Sequence, residues 1–320
     1  MRVIAPAIPV LDHGYVKLIE VWGSDIGIIE AARMSTDKGF LGWEPTFSYR
    51  CDKSGKDPKC LYSCKVENEP LTSDTCHCGG KLVLESKAPG DQKLLKYLWT
   101  EQPPHTSPFE MAGMIIEVQA PIFVFREWHR HRTQSYNEMS ARYTPLPDLN
   151  YIPSVERIMM TSKDNRQAQS TGELITEDYA KNFQLILQTG YEQAQMKYEV
   201  ALRTGVPKEL ARLILPVGRY SRMRAQAVLL NWFKFLTLRD HHKAQWEIQQ
   251  YAKEVSKLVS EHFPRTYELY LSTKETKKEA TRNAQGETQL QAAIADFWAV
   301  EAQHGATQVD LDKVIAAAKS

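Results

Sequence analysis

Five cysteines constrain this 320-residue chain more than any other feature. Cys51, Cys60, Cys64, Cys76 and Cys78 all lie between positions 51 and 78, and the rest of the chain has none. The opening stretch, MRVIAPAIPVLDHGYVKLIE, lacks the basic segment and long apolar core of a secretory signal, so a metal explains the cluster better than disulfides. Cys60-x3-Cys64 and Cys76-x-Cys78, eleven residues apart, offer the four thiolates that a structural zinc requires. CHCGGKL resembles half of a zinc-ribbon knuckle, and Cys51 and His77 are the substitutes for any of the four. Residues 44–82 are rich in turn formers and poor in apolar side chains, so such a staple suits them. The same distribution means that chemistry elsewhere in the chain proceeds without a cysteine nucleophile.

The flanking sequence has ordinary periodicity. VKLIEVWGSD (16–25) reads as a strand whose Gly-Ser-Asp turns into and caps a short helix over 26–36. QKLLKYLWTEQ (92–102) reads as a helix stopped by Pro103 and Pro104, and MIIEVQA (114–120) as a strand. Pro121 then opens a helix through IFVFREWHRH. Residues 161–174 read as a polar loop, and longer helices are expected over 178–205, 208–215, 225–240 and 244–263. The last fifty residues are Ala- and Gln-rich, with a weak apolar face at Leu290, Ala293, Phe297 and Trp298. The expected class is α+β, helix-rich with a small sheet.

Residues 130–143, RHRTQSYNEMSARY, carry Arg130, Arg132 and Arg142 against one carboxylate, Glu138. Arginine presents a rigid, permanently charged fork matched to phosphate oxygens, and Ser135, Asn137 and Ser140 add donors for a sugar or base. A solvated surface loop is the plain alternative, against which stand the interleaved Trp128, Tyr136 and Tyr143. The formal charge of +1 points to neither nucleic acid nor a membrane as partner, and no run approaches the ~18 apolar residues of a span.

The stretch resembles the signature of the flavin-dependent thymidylate synthases, the ThyX family, RHRxxSxNExSxRY, with every fixed position present from Arg130 to Tyr143. HTSPFE (105–110), VQAPIFVFREWHRHR (118–132), VPKELARLILP (206–216) and LTLRDHHKAQWEIQQYA (236–252) resemble further family blocks in family order. The resemblance covers roughly 11–50 and 90–270. It implies a ThyX-like α+β domain over 1–50 and 83–270, with a small, mostly antiparallel sheet. A cysteine-rich insertion would occupy 51–82 and a helical extension 271–320.

The resemblance also implies an activity: methylation of dUMP at C5 to dTMP. Methylenetetrahydrofolate would supply the carbon and FAD the hydride, with NADPH recharging the flavin. The enzyme would be a cytoplasmic homotetramer whose active sites are shared between subunits. By the same resemblance Arg239 is the catalytic cation beside the pyrimidine. Glu127, Arg130, Glu138, Ser140, Ala141, Arg142, Arg212 and Arg239 itself would line the dUMP site, with Arg142 and Arg212 clamping its phosphate. His105, Ser107, Arg130, His131, Arg132 and Glu138 would hold FAD.

Two places depart from the family pattern. A common version has Gln-Trp-Phe-Arg where this chain has Glu127-Trp128-His129-Arg130, so the nucleotide site gains a carboxylate at Glu127 that needs an arginine partner. Before the last helix only Asn231 survives of the usual polar set, preceded by Val228-Leu229-Leu230, and Lys234 stands where Asn or His is usual; both belong to the flavin side. These departures leave open a second outcome on the same fold, a pyrimidine C5 hydroxymethylase. A nucleic-acid-binding protein using the knuckle and the arginines is the third, from another class.

Overall fold

The computed structural model describes residues 6–54, 60, 63–67, 70–71, 73–101, 103–160, 175–276, 287–289 and 291–292. The polar stretch 161–174 and the tail positions Leu290, Ala293, Phe297 and Trp298 lie outside these. The chain divides into two compact units, Met1–Thr266 and Tyr267–Ser320. In the second, residues 267–276 are helical.

The first unit is built on a five-stranded antiparallel sheet. Strands β1 (Ile8–Val10), β2 (Gly14–Trp22) and β6 (Gly113–Pro121) are joined by β8 (Tyr220–Val228) and β7 (Ser135–Glu138), in the order β1-β2-β6-β8-β7. Strands β3 (Thr46–Cys51), β4 (Ser63–Glu67) and β5 (Leu82–Ala88) form a separate antiparallel sheet with β3 central. This second sheet carries the cysteines and runs past both ends of the 51–82 segment, because the strands that frame the turns come from the flanks.

Alternation decides which face of the large sheet is buried. Val16 and Leu18, Met114, Ile116 and Val118, and Met223, Ala225 and Ala227 all point to the core. Against them pack α3 (Ile122–Trp128), α7 (Leu229–Arg239) and α8 (Trp246–His262) through Trp128, Trp232, Phe235, Tyr251 and Val255. Burying each such side chain contributes about 1.5–3 kcal/mol. Tyr251 crosses the sheet so closely that a Cβ at Gly14 would lie 2.0 Å from its hydroxyl, which donates to the Gln119 carbonyl at 2.9 Å. The opposite face shows Tyr15, Lys17, Glu117, Arg222, Arg224 and Gln226, which are half-buried or exposed.

Several expected elements are found. Helix α1 (Asp25–Arg33) begins where Ser24 accepts the Gly27 amide at 3.0 Å, and α2 (Asp91–Thr100) ends before Pro103. Helix α5 (Glu177–Arg203) is long, as its period requires. Short α4 (Val155–Met159) precedes it, and α6 (Lys208–Ala211) follows with a tighter turn over Arg212–Ile214 in place of the single helix expected over 208–215. The helix expected over 225–240 starts only at Leu229, since 225–228 belong to β8. Strand pairing with β6 along its whole length overrides the helix preference of Ala225 and Ala227.

The two stems of the smaller sheet are cross-bonded. The Asp91 amide donates to the Gly42 carbonyl at 2.8 Å and the Gln92 amide to that of Trp43 at 3.2 Å. Asp91, fully buried, pairs with Arg33 and accepts the Leu41 amide at 2.7 Å. Asp91→Ala would leave Arg33 and that amide unpaired, so it is expected to lower the unfolding free energy by about 3 kcal/mol, read as a shifted denaturation midpoint.

Candidate active site

The arginine motif grows from the end of α3. Pro121, with its fixed backbone, caps the helix, and Trp128 closes it, fully buried against Phe235 with ring centroids 4.5 Å apart. The chain then turns back on itself: Trp128 Nε1 donates to Gln134 Oε1 at 3.1 Å, and Tyr136 Oη lies 2.7 Å from the His131 carbonyl and 3.1 Å from that of Trp128. Burial pushes the Tyr136 hydroxyl well above the ordinary tyrosine range, so it stays a donor. From Ser135 the chain enters β7, which places Asn137 opposite Arg224 and Glu138 opposite Met223. The plain alternative for the motif was a solvated loop; part of it is instead an edge strand of the large sheet.

Arg239, the last residue of α7, reaches the same turn. Its Nε donates to His131 Nε2 at 2.9 Å, its Nη1 to Glu127 Oε2 at 2.6 Å and its Nη2 to the Glu127 carbonyl at 2.8 Å. The Arg239 side chain is only 13% exposed, whereas the Glu127 carboxylate is 43% exposed. The carboxylate at 127 therefore has its arginine, but from the far end of another helix. Burial first, and the Arg239 cation second, lower His131 from 6.5 to about 4. His131 is thus neutral at pH 7 and can accept the Arg239 hydrogen bond.

This depression has a sign that can be measured. The unfolded chain takes up a proton at this histidine near pH 6.5, whereas the folded chain resists until about 4. The contribution is complete above 6.5 and is lost progressively as pH falls toward 4, to a limit of about 3 kcal/mol. His131→Gln is expected to flatten that part of the stability profile in denaturant titrations at successive pH values.

A second group forms where the loop after β7 meets α6. The Arg142 amide donates to Ser140 Oγ at 3.3 Å, Ala141 is buried, and Lys208 Nζ donates to the Tyr143 carbonyl at 3.0 Å. Arg142 Nε stands 3.9 Å from the Glu209 carboxylate, and Arg212 Nε donates to the Glu209 carbonyl at 3.3 Å. The two arginines expected to clamp a phosphate thus share one neighbour. Separately, Glu117, Asn137, Glu138, Met139, Arg222 and Arg224 line a groove of about 360 Å³ on the polar face of the sheet. Glu117 accepts from Tyr15 Oη at 3.0 Å and pairs with Arg224 at 3.4 Å. Glu117, Arg222 and Arg224 were not anticipated, although alternation of arginine with Met223 and Ala225 was there to be read.

The third group lies along the first turns of α7. Asn231 Nδ2 donates to the Thr133 carbonyl at 3.1 Å, and Lys234 Nζ to Asn231 Oδ1 at 3.2 Å, which joins both to the motif beside Arg132. Ser107 starts a short tight turn, Ser107–Met111, that packs on α7 through Trp99, whose ring lies 5.3 Å from Phe109 and 5.4 Å from Phe233. His105 is exposed and stacks on Tyr97 at 5.8 Å. No hydrogen bond among the described residues joins His105 or Ser107 to the motif. Arg130 and Arg132 are exposed with no ion-pair partner among the described residues, a donor set suited to a dinucleotide pyrophosphate.

Fold and site together describe an α+β protein whose arginine-rich motif runs into an edge strand of a small antiparallel sheet, a donor set whose chemistry suits phosphorylated ligands. The profile of the family described as thymidylate synthase complementing protein matches residues 17–265. A flavin-dependent thymidylate synthase of Thermus thermophilus is 35% identical over 257 residues, covering 80% of this chain and 75% of that one. That of Thermotoga neapolitana is 31% identical over 264 residues, covering 82% and 94%. Among solved structures, the UMP/dUMP methylase PolB from Streptomyces cacaoi, bound with 5-Br UMP, superposes with a TM-score of 0.59 at 26% identity, covering 83% of this chain and 97% of that one. The chain belongs to the flavin-dependent thymidylate synthase family and is an enzyme of that kind. Among the described residues no helix is long and apolar enough to cross a membrane.

Proposed function

We propose that the protein converts dUMP to dTMP, taking the carbon from methylenetetrahydrofolate. Bound FAD supplies the hydride that completes the methyl group, with NADPH as its reductant. The observation that carries this reading is Arg239, a mostly buried cation fixed at the signature motif by His131 and Glu127. Uracil C5 is a weak nucleophile, and no cysteine lies among the site residues to activate it by adding to C6. A positioned cation instead stabilises the negative charge that builds on the pyrimidine as C5 attacks. Three of the five guanidinium N–H groups of Arg239 are engaged, so two can face a ligand. Neutral His131 accepts one bond without adding a competing positive charge.

Arg142 and Arg212 hold the nucleotide phosphate, Ser140 and Ala141 the loop around it, and Arg130 and Glu138 its sugar and base. Arg130, His131, Arg132, Glu138, Ser107, His105, Asn231 and Lys234 supply the flavin side. The open groove and the exposed Arg130, Arg132 and Arg142 support a homotetramer in which neighbouring subunits complete each site.

The test is a product analysis. Protein, FAD, NADPH, methylenetetrahydrofolate and dUMP are combined without oxygen, and the nucleotides are resolved by mass spectrometry. The expected product is dTMP. Accumulation of 5-hydroxymethyl-dUMP would replace the synthase by a hydroxymethylase, and unchanged dUMP would overturn both. A parallel reaction with UMP tests whether the wider substrate range in the name of PolB extends to this chain.

A further inference from the structure

The smaller sheet has a core too slight to hold itself together. Its buried members are Phe47, Tyr49 and Leu82 with Cys51, Cys60 and Cys76, against which Leu71 and Cys78 pack. Sheets of this size in small domains are normally held by disulfides or a metal. The sulfurs of Cys51, Cys60, Cys76 and Cys78 all lie within 4.8 Å of one another. Cys51 and Cys78 are 3.5 Å apart and Cys60 and Cys76 3.9 Å, too far for bonds between sulfurs of ~2.05 Å. Four thiolates bound to zinc at ~2.3 Å stand ~3.8 Å apart in a tetrahedron.

Two tight turns present three of these sulfurs, Cys51 in one and Cys76 and Cys78 in the other, and Cys60 comes from outside both. In the first, the Ser54 amide donates to the Cys51 carbonyl at 2.9 Å. In the second, the Cys76 amide donates to the Gly80 carbonyl and the Gly79 amide to the Cys76 carbonyl, both at 2.8 Å, with Gly79 at φ +75°. The turns meet so closely that a Cβ at Gly80 would lie 2.5 Å from Cys51 Sγ. Asp52 bonds them across, accepting the Lys81 amide at 2.8 Å.

We propose that Cys51, Cys60, Cys76 and Cys78 bind one zinc ion that holds this sheet closed. Cys51 takes the place expected for Cys64, which sits on β4 opposite Tyr49. The four converging sulfurs supply the full ligand count of a structural zinc. Because the stems are pinned separately at Asp91, loss of the metal opens the sheet over 46–88 without unfolding the larger one.

The experiment uses the full chain, purified without added metal and analysed for zinc and iron by plasma mass spectrometry. One zinc per chain is expected in the wild type and in Cys64→Ser, and at least a fivefold loss in Cys51→Ser. Cobalt(II) added to chelator-treated wild type should give the intense absorption of tetrahedral thiolate coordination, whether or not the serine variants fold. Limited proteolysis of the chelated wild type should cut within 46–88 first. Zinc retained by Cys51→Ser but lost from Cys64→Ser would overturn the ligand set. One iron per chain in place of zinc, or no binding of either zinc or cobalt, would overturn the proposal.

Discussion

Replacing Arg239 by alanine is expected to lower dTMP formation by at least about 10³-fold while flavin stays bound, because its cation acts on charge that exists only as C5 attacks. The loss should fall on kcat more than on KM, since an interaction made only in the transition state does not set ground-state affinity. Flavin retention, read from the absorbance of the purified variant, separates this from collapse of the motif. Glu127→Gln is the informative contrast. The amide can still accept from Nη1 but no longer offsets the charge, so the guanidinium becomes a stronger electrophilic partner for the pyrimidine. Turnover should be kept or raised, with the KM for dUMP little changed. If Arg239→Ala turns over substantially, or if Glu127→Gln is as damaging, the cation does not act in this way.

Removing both Arg142 and Arg212 is expected to raise the KM for dUMP by about 10²–10⁴-fold, since each charge-assisted contact to a phosphate is worth about 1.5–3 kcal/mol. The corresponding nucleoside, which has no phosphate, should lose almost nothing in the same variant. Neither residue is buried and their shared neighbour is the exposed Glu209, so stability should barely change. A nucleotide KM that hardly moves would place the phosphate elsewhere, with Arg222 and Arg224 in the groove as the next positions to change.

The signature motif and the family blocks were legible in the sequence because their residues are local. The fourteen-residue motif, and the blocks around His105, Arg212 and Arg239, stand in fixed order and needed no coordinates. What could not be read was which side chains meet across long separations. Glu127 and Arg239 lie 112 positions apart, and nothing near Glu127 indicates that its partner ends a later helix. The fold was legible where one period dominates, as in α5, α8 and β6. It was not in β8, whose Ala225, Ala227 and Arg224 suit a helix taken alone. Only pairing with β6 on one side and β7 on the other makes the extended form preferable. Cys51 was placed only among the substitutes for a similar reason: spacing favoured Cys64, but it is the meeting of two turns that brings Cys51 to Cys78.

Strand β8 passes into α7 with no connecting residue, Val228 being the last of one and Leu229 the first of the other. The chain length between sheet and cation is therefore fixed in a way that has genetic consequences. One extra codon at this junction would turn the helix by about 100° and advance it about 1.5 Å, carrying Arg239 away from His131. Residues 46–88 are the opposite case, since their stems close on each other before the segment begins. Across a set of natural sequences, length changes should accumulate between Trp43 and Gly90 and be purged between Tyr220 and Arg239. The reading frame of this gene would thus carry a record of where the molecule has slack.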